Sequence, residues 1–217
     1  RYRIGADVTA GSLTFATVTA DARHYQFVRP PGFPRRVPVT LAVRALHFGR
    51  YGDDASSGRL SPIFIGNPQL VRGYSSRSFD INTNEQFDDY VSSLFGNRVG
   101  VASAEVRLPL LGVPQLGLLS FPYLPTELVF FADAGIAWGQ SPYFRGITSD
   151  GEEITLTYGR ELENQEPVLS AGVSARVNLL GAIIVEPYYA FPFSRWDDDG
   201  DLARGKGVFG FNISPGW

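Results

Sequence analysis

Apolar and polar residues alternate with a period of two along most of this chain, the mark of strands whose two faces meet different surroundings. Residues 2–10 put Tyr2, Ile4, Ala6, Val8 and Ala10 on one face. Residues 13–27 set Ala16, Val18, Ala20 and Ala22 against Asp21, Arg23 and Tyr25; residues 37–48 set Val39, Leu41, Val43 and Ala45 against Thr40, Ala42 and Arg44. The alternation returns at 98–110, where Ala104, Val106 and Leu108 oppose Glu105 and Arg107, and again at 128–138, 169–180, 182–193 and 206–217. This predicts about eight strands, each long enough to cross a bilayer at a tilt. No strand pattern fits residues 49–97, and polar stretches occupy 139–167 and 194–205.

Two features favour a membrane barrel over a soluble sandwich. Arg44, Glu105, Arg107, Asp133, Arg176 and Glu186 stand in mid-strand opposite small and aliphatic residues, yet Lys206 is the only lysine. A sandwich face in bulk water would be crowded with Lys and Glu, whereas a lipid face backed by a sparsely charged lumen gives this pattern. Aromatic residues also gather toward strand ends, at Tyr25, Phe27, Phe48, Tyr51, Trp138, Tyr188, Tyr189, Phe191, Phe193 and Trp217, as interfacial girdles would. With the C-terminus on the periplasmic side, the short connections 29–36, 110–125 and 180–181 fall inside. The long ones then fall outside, with Gly11-Ser12 an unusually short outer loop. The fold class expected is all-β, a transmembrane antiparallel barrel of the outer-membrane type forming one domain over 1–217, with 49–97 as its long external loop.

Composition narrows the functions. A net charge of −3 in 217 residues, with a pI near 5.4, leaves no basic stripe for nucleic acid. The absence of cysteine removes disulfides, thiolate metal sites and cysteine nucleophiles. Residues 108–125 carry no charge, but Pro109, Pro114, Pro122 and Pro125 make them an interfacial turn rather than a spanning helix. The chain starts without Met or signal peptide and is read as a mature form or an excised piece.

Four motifs then stand in order. Val71-Arg72-Gly73-Tyr74 resembles the VRGF/Y motif of the Omp85 superfamily, in its BamA and surface-antigen branch, and it lies late in the long loop before the last five strands. Phe131-Ala132-Asp133-Ala134-Gly135 resembles the family's FxDxG strand, and Ser170-Ala171-Gly172 with Arg176 its next strand. Phe209, Phe211, Ile213 and Trp217 resemble the C-terminal β-signal read by the assembly machinery, with Pro215 as a departure. The resemblance covers about residue 62 to the end; the first sixty residues fit by strand pattern alone.

The resemblance implies that the loop folds back into the lumen and docks Arg72 on Asp133; if so, exchanging the two charges should restore what the single substitutions lose. It implies a non-enzymatic role in assembling or translocating outer-membrane proteins. In that mechanism a weak seam between first and last strands opens and templates an incoming strand. Partners would be outer-membrane lipid and nascent outer-membrane proteins or a secreted passenger, at the bacterial outer membrane. The alternative is a barrel that anchors or exports a fused N-terminal domain, for example a patatin-like lipase.

The residues add their own expectations. Glu105, Arg107, Arg176 and Glu186 should form a lumen ion network, no cofactor or metal is expected, and Gly205, Gly207 and Gly210 should weaken the terminal seam. The family barrel has sixteen strands, so this chain supplies about half. Eight strands closed on themselves leave an interior just wide enough for side chains, too narrow for a loop of this size. Either the chain is a fragment, or a second copy or another chain completes a larger barrel, or the loop stays outside; a fragment or half-barrel is preferred. Three other motifs carry little. The glycines at 205, 207 and 210 spell a dinucleotide fingerprint without its strand–helix context, Asp197-Asp198-Asp199-Gly200-Asp201 lacks the distal Glu of a calcium loop, and His24 and His47 lack a serine elbow.

Overall fold

A computed structural model describes residues 1–32, 34, 37–74, 93–139, 141–147, 153–158, 161–193 and 207–215. Eight long strands make one antiparallel meander: β1 (Tyr2–Thr9), β2 (Phe15–Val28), β3 (Val39–Tyr51), β4 (Arg98–Gly112), β5 (Thr126–Trp138), β6 (Val168–Leu179), β7 (Ile183–Pro192) and β8 (Val208–Pro215). Each pairs with its neighbours in sequence, and β3 and β4 are adjacent although the long loop separates them. The sheet is open: among the described residues β1 pairs only with β2, and β8 only with β7. All eight strands lie within three residues of the runs the alternation predicts.

Period-two geometry sends every second side chain to the same face, and the register extends each face across the sheet. Arg44 stands opposite Ser103, Ser103 opposite Asp133, and Asp133 opposite Ser170; this inner face is covered by part of the loop. The other face is apolar and exposed, with Leu41, Val43, Val106, Phe130 and Leu169 in its middle. Toward the loop-bearing end, Ile65, Val71, Tyr74 and Leu94 of the loop pack on Val99, Val101, Ala137 and Val168 of the inner face. An open sheet leaves room for this loop where a closed eight-stranded barrel would not.

Several expectations change. The loop 49–97 is not wholly irregular: β3 runs on to Tyr51, and Ile63–Phe64 pairs with Phe95–Gly96. The polar stretch after Trp138 contains a hairpin, Ser141–Ile147 with Glu153–Tyr158. In the 110–125 turn Leu119–Ser120 pairs in parallel with Leu111 and Gly112, leaving Leu116, Phe121 and Tyr123 exposed. Four residues of the supposed girdle point inward, because strand parity outranks position along the strand. Tyr25 lies under Arg107, Phe27 faces inward with Thr40, Phe48 packs on the loop core, and Tyr188 is buried against Phe131.

Two of the terminal glycines also have a packing role inside the sheet. A Cβ at Gly210 would fall 2.1 Å from Cζ of the Tyr188 ring, and one at Gly207 2.2 Å from that of Tyr189. Each glycine seats a tyrosine of β7, which offsets its missing side chain and ties β8 to its neighbour. Gly205, Lys206, Trp217 and the aspartate run 197–201 lie outside the described residues.

Candidate functional site

The inner face gathers its charges around Arg72, which is only 6% exposed. Its Nε donates to Asp133 Oδ2 at 2.7 Å, its Nη2 to Oδ1 at 2.8 Å, and its backbone N–H to Oδ2 at 3.2 Å. Such a fork-to-carboxylate pairing fixes angle as well as distance. The same guanidinium meets Glu105 at 3.0 Å and Glu186 at 3.3 Å. One arginine of the loop therefore reaches carboxylates on three strands, β4, β5 and β7. Burial alone would weaken its hold on its proton, but the Asp133 hydrogen bonds and the charges of Asp133, Glu105 and Glu186 outweigh this and hold it more firmly protonated.

The motif residues around it each have a physical task. The ring of Phe131 lies 3.6 Å from the guanidinium carbon and forms the floor of the site. A Cβ at Gly172 would sit 2.7 Å from that ring, so glycine on β6 leaves it space. A Cβ at Gly135 would fall 2.5 Å from Val71 and 2.6 Å from Ile65, so glycine there admits the loop. Gly73 has φ +92°, a left-handed conformation that other residues resist, and brings the loop against Ala190. Tyr74 is buried, and its hydroxyl donates to the Leu169 carbonyl at 2.7 Å.

The four lumen residues named from sequence join this cluster. Arg107 pairs with Glu105 at 2.7 Å, and Arg176 with Glu186 at 3.0 Å and Glu105 at 3.7 Å. Because Arg72 faces three carboxylates, exchanging it with Asp133 would set an aspartate against Glu105 and Glu186. The expectation that a charge swap restores what the single substitutions lose is corrected on that ground. Phe209, Phe211 and Ile213 line the opposite, exposed face of β8, apart from the cluster.

Sequence reading missed several participants. Ser103 donates to Asp133 at 2.6 Å and Ser174 to Glu186 at 2.7 Å; each sits two residues before a named charge, so inward parity was the available signal. Asp21 pairs with Arg23 at 2.7 Å and Arg44 at 3.1 Å, and Arg44 donates to the loop carbonyl of Gln69 at 2.9 Å, a second fastening point. Gln165 donates to the carbonyls of Ala137 and Ser93, tying the connection before β6 to β5 and to the loop. Beyond the cluster the inner face opens into a cleft of about 1110 Å³, lined in part by Arg23, Glu127, Asn178 and Asn212.

The histidines lie elsewhere, both on the outer face. His24 is exposed, and His47 is held between the Val99 carbonyl and the Tyr51 hydroxyl.

The model of the Omp85 superfamily domain matches residues 2–217. No curated protein and no solved structure matches the chain. Matched over all but its first residue, the chain belongs to the Omp85 superfamily, outer-membrane β-barrel proteins that serve protein insertion or translocation.

Proposed function

We propose that this chain is the C-terminal part of a bacterial outer-membrane barrel that inserts or exports proteins without enzymatic chemistry or cofactor, and that loop 49–97 acts as its internal brace. The observation that carries this reading is Arg72, seated among carboxylates of β4, β5 and β7. β7 is the direct neighbour of β8, whose other edge has no partner among the described residues. A free strand edge is suited to pairing with an incoming strand, provided it is held in place. The brace reaches within one strand of that edge and limits how far the terminal strands can stray.

Reconstituted proteoliposomes test this. The purified protein should accelerate insertion of an unfolded outer-membrane barrel client above the rate of empty vesicles, and Arg72→Ala should lose most of that acceleration. A wild type no faster than empty vesicles would overturn the reading. An Arg72→Ala variant that stays folded and fully active would overturn the brace.

A further inference from the structure

The outward side chains of the eight strands form an almost uncharged surface. Following the register from Tyr2 across to Ile213, Arg98 is the one Asp, Glu, Lys or Arg among the described residues that faces outward. It stands at the loop-bearing end of β4, where the apolar band gives way to aromatics. Its guanidinium carbon lies 4.6 Å from the centre of the Tyr51 ring, and its Nε donates to the Arg50 carbonyl at 3.2 Å. No carboxylate among the described residues pairs with it; Asp54, three residues after Tyr51, instead accepts the Thr14 N–H at 2.7 Å.

The surroundings are built rather than incidental. His47 stacks on Trp138 at 5.6 Å and meets the Tyr51 hydroxyl at 2.8 Å. The Val99 carbonyl can only accept, so His47 Nδ1 carries the proton of that 3.0 Å hydrogen bond, which leaves Nε2 facing the Tyr51 hydroxyl. At the centre is Gly49, where a Cβ would lie 3.0 Å from the Tyr51 ring, 3.1 Å from Arg98 Cγ and 3.2 Å from the His47 ring. Glycine at that position lets rings and cation close over one spot of the sheet.

We propose that Arg98, with Tyr51, His47 and Trp138, forms a binding site for the phosphate of an anionic lipid headgroup on the outer wall of the barrel. An arginine facing lipid must find a polar partner or stretch to the interface. Its planar fork suits phosphate, and aromatic rings favour the headgroup level. The site continues directly into the apolar band that would receive the acyl chains. That continuity is what favours a lipid over a soluble anion. The inference rests on the outer-membrane barrel reading for the position of lipid.

The test uses the purified protein in uncharged maltoside micelles, titrated with phosphatidylglycerol and followed by native mass spectrometry. Wild type should retain one lipid saturably, and Arg98→Gln should bind it roughly tenfold more weakly, the loss of one charge-assisted contact. Arg98→Lys should fall between them, and diacylglycerol, which lacks phosphate, should not bind. Equal affinity in wild type and Arg98→Gln, or equal retention of diacylglycerol, overturns the site. Displacement of the lipid by inorganic phosphate at matching concentration overturns the lipid assignment in favour of a soluble anion. Circular dichroism before lipid addition keeps the two readings apart. A chain without β structure in micelles contradicts the barrel, whereas a folded chain with Arg98-independent binding contradicts only the site.

Discussion

The two ends of the inner face deal with burial in different ways. Toward the loop-bearing end, Ile65, Val71, Tyr74 and Leu94 cover Val99, Val101, Ala137 and Val168, and these apolar side chains are buried. Toward the other end the face stays polar and open, a cleft of about 1110 Å³ with Arg23, Glu127 and Asn212 on its walls. The Arg72 cluster lies at the boundary. The difference teaches that apolar packing by the loop excludes water from one half, and that exclusion makes the charges at the boundary consequential. Similar pairs farther into the cleft are screened.

Substitutions across this boundary should therefore fall in a steep order. Arg72→Ala leaves Asp133, Glu105 and Glu186 without their shared cation, and should cost about 3–5 kcal/mol in urea unfolding of the micelle-bound protein. Gly135→Val drives a side chain into Val71 and Ile65 and should cost about 1–3 kcal/mol, with earlier protease cleavage of the loop as a second readout. Tyr74→Phe removes one hydroxyl from the Leu169 carbonyl and should cost about 1 kcal/mol. Glu127→Gln, on the open side and 4.0 Å from Arg176, should stay within about 0.5 kcal/mol. A Glu127→Gln effect as large as that of Tyr74→Phe would erase the distinction between the halves.

Much of this was legible in the chain. Long alternating runs marked all eight strands, since a lipid face tolerates almost no charge and the pattern is clean. Four short motifs pointed to Arg72, Asp133 and the strands around them. What stayed hidden depends on register. Glu105 and Glu186 are visibly inward, but only the pairing of strands brings both to the guanidinium that also meets Asp133. The inward turn of Tyr25, Phe48 and Tyr188 was available from parity, and position along the strand overrode it. The hairpin at Ser141–Ile147 and Glu153–Tyr158 was missed because polar and apolar residues mix along SPYFRGI and EITLTY without a clean period of two. Arg98 was equally invisible, because an outward charge with no carboxylate partner among the described residues is recognised only once the register of those residues is known.

The central claim is that Arg72 and Asp133 act as one unit across the boundary, and a double-mutant cycle measures this directly. Unfolding free energies of wild type, Arg72→Ala, Asp133→Ala and the double variant are compared in the same micelles. The account predicts that the double variant loses far less than the sum of the singles, because each single already breaks the shared contact. Losses that add to within about 0.5 kcal/mol would contradict it.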